Sequence, residues 1–284
     1  MKNNINYKKR LVILIFFILG LILILTVILN FNKEKQEIKI NATPTLFLHG
    51  WGSSVNAEHQ MTNAIVKSNI SNNITQAIVD KKGKVKLIGQ INRNSKNPLI
   101  EVGFLNNRTS NYFENGQWLK NVLIKLKETY SIEKVNLVGH SMGNMAIMYY
   151  LLANSSQKKV PQINKIIDIA GHFNGIIGLN DQPHQHQLND EGKPDHLNLE
   201  YRRLLPLKKT FPNNIKVLNI FGDKNNGTNS DGSVTNSSSQ SLRYLVAKRA
   251  NSYREKKVIG LQGQHSKLHE SKKVDQILIN FLWP

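Results

Sequence analysis

Cysteine is absent from this 284-residue chain. That excludes disulfides, thiolate metal sites and a cysteine nucleophile, and it leaves no thiol to carry a lipid anchor. Acidic residues are scarce. Nineteen Asp and Glu stand against 38 Lys and Arg, for a formal net charge of +19 and a pI near 10.0. The basic residues come as scattered pairs, with no long basic tract and no interleaving of aromatic and basic side chains, so nucleic acid is not an expected partner. A field of this sign points to a solvated basic surface able to adhere to an anionic cell-wall polymer or lipid surface. Hydrophobic residues make up 40% of the chain, enough for a full core. The length suits one domain with an appendage.

The appendage is read at the N-terminus. Lys2, Lys8, Lys9 and Arg10 precede the uncharged run Leu11–Leu29. About nineteen apolar residues at 1.5 Å rise each would span a hydrocarbon core. No small-x-small cleavage site follows, which favours an uncleaved signal anchor over a removed signal peptide. Basic residues ahead of the span put the N-terminus in the cytoplasm. The expectation is therefore a single-pass cell-membrane protein. Residues 1–32 form a basic tip and transmembrane helix, 33–42 a linker, and 43–284 an extracytoplasmic domain.

Within that domain the stretch Val135–Asn144, VNLVGHSMGN, organises the rest. The apolar Val135–Val138 predicts a buried strand, and Met145–Leu152 a buried helix. Ser141 thus sits at a strand-to-helix turn inside a G-x-S-x-G pattern, the context of a nucleophile elbow. Gly139 and Gly143 are read as steric requirements of that tight turn. Upstream, Leu46–Leu48 predicts a short buried strand ending in His49-Gly50-Trp51-Gly52. In serine hydrolases this loop supplies one oxyanion N–H and the residue after the nucleophile the other, which assigns the donors to Trp51 and Met142.

The remaining chain alternates. Helices are expected over Glu58–Ser68, Gly116–Tyr130, Ser237–Ala250 and Val274–Trp283. Strands are expected at Ile74–Val79, Lys84–Asn92, Glu101–Leu105, Lys165–Gly171, Lys216–Phe221 and Tyr253–Leu261. Asp80-Lys81-Lys82-Gly83 reads as a hairpin turn. Residues 172–205 break the rhythm and are expected to form a cap or lid over the sheet's C-terminal edge. His184, His186, Asp195 and His196 fall there, at spacings that match no strong metal signature, so neither a metal nor another cofactor is expected. Strand–helix alternation of this kind predicts an α/β fold with a mostly parallel sheet covered on both faces.

Ser141, then an Asp after a late strand, then a His after the last strand follow the order Ser…Asp…His. With HGWGSS at 49–54, KVKLIGQINRNSKNPLIEVGF at 84–104, VGHSMGN at 138–144, DGSV at 231–234 and HSKLHE at 265–270, the chain resembles the α/β-hydrolase superfamily. More closely it resembles the DUF915 group of Gram-positive cell-surface hydrolases, over about residues 43–284. The resemblance implies an α/β-hydrolase fold and a serine hydrolase, carboxylesterase- or lipase-like, acting on a small ester. Ser141 would be the nucleophile and His265 the base, with His269 as the alternative. Asp231 would be the acid, its DGSV context resembling that of bacterial lipases, with Asp223 as the alternative. The polar 172–200 stretch favours shorter or more polar esters over long-chain lipids. A non-catalytic cell-surface binding protein on the same scaffold is the competing reading.

Overall fold

The computed structural model describes residues 13–26, 40, 42–154 and 159–284. The chain divides into two compact units, Met1–Ile38 and Lys39–Pro284. In the first, residues 13–26 are helical. At 1.5 Å per residue they rise about 21 Å, short of the roughly 30 Å hydrocarbon core of a bilayer. Among the described residues no helix is long and apolar enough to cross a membrane. This corrects the expected transmembrane span over Leu11–Leu29. The signal anchor, the membrane as a partner through that segment, and the single-pass extracytoplasmic placement are not retained. The basic tip at 1–10, both ends of the expected span and most of the 33–42 linker lie outside the described residues.

The second unit is built on one eight-stranded sheet. Its strands are β1 (Thr45–Leu48), β2 (Ile74–Val79), β3 (Val85–Ile88), β4 (Leu99–Phe104), β5 (Lys134–His140), β6 (Gln162–Ile169), β7 (Lys216–Asp223) and β8 (Ser252–Ile259). They lie in the order β3-β2-β4-β1-β5-β6-β7-β8. Only the β2–β3 pair is antiparallel; every other neighbour is parallel. The antiparallel exception follows from its turn. Asp80 Oδ1 accepts the N–H groups of Lys82 and Lys84, and the Gly83 N–H donates to the Asp80 carbonyl. A short turn of this kind returns the chain directly, whereas parallel neighbours need a crossover.

The central strands are apolar on both faces, as a covered parallel sheet requires. Phe47, Val138, Ile167, Ile169, Leu218 and Ile220 join one cluster with Met61 and Ile65 of α1 (His59–Lys67) and Val274, Leu278 and Leu282 of a C-terminal helix, Lys272–Leu282. Alternate residues Leu46, Leu48, Leu137 and Ile166 are fully buried outside that cluster. Helix α2 (Tyr112–Tyr130) and α3 (Met142–Asn154) contribute nothing to it and pack on each other. Helix α3 is buried on nearly every side, which its uninterrupted apolar sequence dictates.

Buried polar side chains break the apolar rule in several strands, Glu101, Asp168 and Asn219 among them. Glu101 in β4 is fully buried, and it is satisfied by His59 Nδ1 at 2.7 Å, Thr62 Oγ1 at 2.7 Å and Gln76 Nε2 at 3.0 Å. Its neighbour Glu58 is also buried, but neither of its carboxyl oxygens is hydrogen-bonded, the nearest cation-forming group being His269 Nδ1 at 4.0 Å from Oε2. Burial, reinforced by the charge of Glu101, pushes the Glu58 carboxyl from its ordinary 4.5 up to about 8. The folded state then holds a proton that the unfolded chain releases, so this group's contribution to stability falls as pH rises from 4.5 to about 8. Glu58→Gln is expected to flatten that fall, gaining on the order of 4 kcal/mol at pH 9 relative to pH 5. Urea denaturation of both proteins across this range checks it. Parallel pH profiles for the two would refute the assignment.

Candidate active site

Strand β5 delivers Ser141. Its register with β1 pairs Leu48 with Gly139, so the chain leaves β5 beside the end of β1. Ser141 itself has φ 50°, the left-handed region that L residues avoid. The turn that enforces it works only at close quarters. A Cβ on Gly143 would run into the Leu48 carbonyl oxygen, and one on Gly139 into Asn144. The Ser141 N–H donates to the Ile169 carbonyl and Asn144 Nδ2 reaches the same oxygen, fixing the elbow to β6.

Strand β7 ends at Asp223, and the following loop carries Asp231. Asp231 is buried. Its Oδ1 accepts the N–H groups of Ser233 at 2.8 Å and Val234 at 2.7 Å, which is the physical content of the DGSV pattern. That leaves Oδ2 for His265, whose Nδ1 lies 2.7 Å away. The backbone repeats the connection, with the His265 N–H donating to the Asp231 carbonyl. With Nδ1–H given to the carboxylate, Nε2 is the accepting nitrogen, and it stands 3.1 Å from Ser141 Oγ. Ser141, His265 and Asp231 form a Ser-His-Asp triad with the geometry of a serine hydrolase.

The alternatives are occupied elsewhere. Asp223 Oδ2 pairs with Lys257 Nζ at 2.6 Å, and its oxygens also accept from the Asn225 N–H and Asn236 Nδ2. Burial alone would raise its pKa, but these partners, Lys257 foremost, hold it below the usual carboxylate range. His269 Nδ1 donates to the Ala57 carbonyl at 3.1 Å.

Two further histidines, one in the loop after β1 and one at the end of β5, position the site. His49 donates from Nδ1 to the Gly50 carbonyl at 2.8 Å and accepts the Phe104 N–H at Nε2 at 3.1 Å. Both nitrogens are thus committed in the neutral ring, which burial favours by lowering its pKa. This braces the loop carrying Trp51 against β4. His140 donates from Nε2 to the His265 carbonyl at 3.2 Å and packs against the rings of His265 and His269. Burial holds its pKa well below the ordinary value. The backbone N–H groups of Trp51 and Met142 are not taken up by turn or loop carbonyls among the described residues.

A cleft of ≈760 Å³ opens over Ser141 and His265. The 172–205 stretch lends it His172, Ile176 and Leu179. Sequence reasoning missed His172, buried and lowered to about 4 by desolvation. It also missed Arg108 and Tyr112, which line the same cleft. His172 follows the end of β6, where site residues of parallel sheets collect, so a signal existed. Among the described residues, no group of three or more His, Asp or Glu is arranged to hold a metal ion. His184 instead bonds the Gly227 carbonyl, while His186 stacks on His196 and faces Asp195.

Residues 32–284 match the family model described as an alpha/beta hydrolase of unknown function, DUF915. The chain belongs to this family. Among solved structures, the lin2722 gene product of Listeria innocua is similar at 25% identity and TM-score 0.77, over 86% of this chain and 94% of that one. A candidate cell surface hydrolase from Lactobacillus plantarum WCFS1 shares the fold at 21% identity and TM-score 0.65, over 85% of this chain and 90% of that one. No curated protein matches the chain. Family, fold and triad together make this DUF915 member a serine hydrolase.

Proposed function

We propose that this hydrolase cleaves carboxylic esters through an acyl-enzyme on Ser141. The observation that carries the reading is the continuous relay from Asp231 through His265 to Ser141 at the floor of an open cleft. The Ser141 Oγ–H proton passes to His265 Nε2 as Oγ attacks the ester carbonyl. The tetrahedral oxyanion is held by the N–H groups of Trp51 and Met142, uncommitted and flanking the nucleophile in sequence and fold. His265 then returns the proton to the departing alkoxide, and water, deprotonated by His265, releases the acid. The 172–205 stretch serves as a cap, since it supplies one wall of the cleft. The cleft's size and its mix of Leu179, Ile176 and Tyr112 with polar walls suit an ester of modest length.

The test is a p-nitrophenyl ester series of increasing acyl length, run beside matched anilides and thioesters, with a fluorophosphonate probe as a label for Ser141. Ester turnover well above anilide turnover, falling off at long chains, is the expected result. Anilides cleaved as fast as esters would redirect the reading to amide substrates. Labelling of Ser141 with no turnover of any ester would sink it.

A further inference from the structure

We propose that the ester this enzyme is built for carries an additional anionic group, a carboxylate or phosphate, and that Arg108 receives it. The inference rests on the ester-hydrolase reading above and narrows its substrate class.

The cleft is unusual in its charge. Among the described residues no Asp or Glu side chain lines it; Asp231 is buried behind His265. Four histidines do, but burial keeps His140 and His172 neutral, and His269 is lowered as well. Among the described residues that line it, the one permanent charge is the Arg108 guanidinium. Among the described residues Arg108 makes no ion pair and no hydrogen bond; its sole polar contact is with the Trp51 ring, 5.5 Å from the guanidinium carbon. The nearby acids do not neutralise it. Glu114 accepts from Thr109 Oγ1, Glu200 lies toward Tyr112, and neither lines the cleft.

This placement is built. Arg108 lies on the segment between β4 and α2, and that segment is tied to the Trp51 loop from both sides. The Gly52 N–H donates to the Asn107 carbonyl at 2.7 Å, and Asn107 Nδ2 donates to the Ser53 carbonyl at 2.5 Å. Asn111 then caps α2. The backbone beneath Arg108 is thereby fixed beside the Trp51 loop, and its exposed guanidinium lies over the indole near the proposed oxyanion donors, its fork of donors unpaired among the described residues. A planar fork stacked on an aromatic face is suited to bidentate capture of an oxyanion group. The net charge of +19 adds a field that draws anions toward the same cleft.

The experiment compares kcat/KM for ester pairs that differ only in one charged group. One pair carries a carboxamide or a carboxylate on the aryl leaving group of an acetate; the other sets p-nitrophenyl valerate against the p-nitrophenyl monoester of glutarate. The full chain, Arg108→Gln and Arg108→Lys are measured at low and high salt. For one position of the charge, the anionic-to-neutral ratio is expected to fall about tenfold in Arg108→Gln, to recover in part in Arg108→Lys, and to shrink with salt in the unsubstituted protein. Ratios within twofold of the unsubstituted protein for both pairs would overturn the inference. A second readout needs no ester turnover: protection of Ser141 from fluorophosphonate labelling by benzoate, phenyl phosphate or neutral benzamide. Anion-selective protection that Arg108→Gln abolishes would uphold the inference even if every ester is inert, and the better protector separates carboxylate from phosphate. Equal protection by benzamide would refute it.

Discussion

Ser141→Ala is expected to lower kcat by about 10⁶-fold and Asp231→Asn by about 10⁴-fold, each with little change in stability, while Asp223→Asn lowers it less than tenfold. The ranking follows from what each group touches. Ser141 Oγ forms the bond that is lost outright in the alanine variant. Asp231 acts through His265: its Oδ2 fixes the Nδ1–H tautomer at 2.7 Å and so leaves Nε2 free to accept the serine proton. An amide in its place can present N–H to Nδ1, which reverses the tautomer and removes the base. Asp223 holds Lys257, Asn225 and Asn236 instead, so its replacement loosens the end of β7 without reaching the imidazole. The three variants would be measured with the best ester of the p-nitrophenyl series and by the rate of fluorophosphonate labelling. A larger loss in Asp223→Asn than in Asp231→Asn would reverse the assignment of the acid.

One acid ends a strand and the other lies in the loop just beyond it, within a short, polar neighbourhood, and this is where sequence reading reaches its limit. DGSV marks a carboxylate that bonds its own backbone, because Asp231 accepts from Ser233 and Val234. The pattern says that one oxygen is spoken for, yet not where the other points. The elbow was more legible, since strand, glycines and buried helix are all local. The apolar period alone starts helix α2 at Gly116, whereas it starts at Tyr112 with Asn111 accepting from the Glu114 N–H. That Asn-x-x-Glu cap was present in the sequence and is a recognised start signal. The expected helix over Ser237–Ala250 is two short helices, Asn236–Gln240 and Leu242–Val246, jointed at Ser241. Glu101 in a buried strand was beyond local pattern, because its partners His59 and Thr62 come from a helix and Gln76 from the next strand. Arg108 was equally silent. Its meaning lies in the absence of acids around it, a property of the assembled cleft. The N-terminal run misled for the opposite reason. Apolar length alone suggested a span, while the helix described there covers 13–26.

Gly143→Ala is expected to destabilise the fold by about 2 kcal/mol, even though alanine is the better helix former. The two effects have opposite signs and known sizes. Gly143 lies in the first turn of α3, where helix propensity would favour Ala by about 1 kcal/mol. Against that, the added methyl would meet the Leu48 carbonyl oxygen and carbon, backbone atoms at the end of β1. No flexible side chain can yield there; either α3 lifts from the sheet or β1 is displaced, and overpacking of a close-packed interior costs about 1–3 kcal/mol or more. Displacement at this point also moves Ser141 and the Trp51 loop apart, so activity should fall further than the folded fraction does. Gly178→Ala supplies the comparison. That glycine has φ 83° and open space around it, so it carries only the backbone cost of about 1–2 kcal/mol for a left-handed alanine. Urea midpoints for the two variants, with ester turnover corrected for the folded fraction, decide the matter. A Gly143→Ala protein as stable as the unsubstituted one would show that the elbow can relax, and that the close approach of α3 to β1 is not what sets the nucleophile.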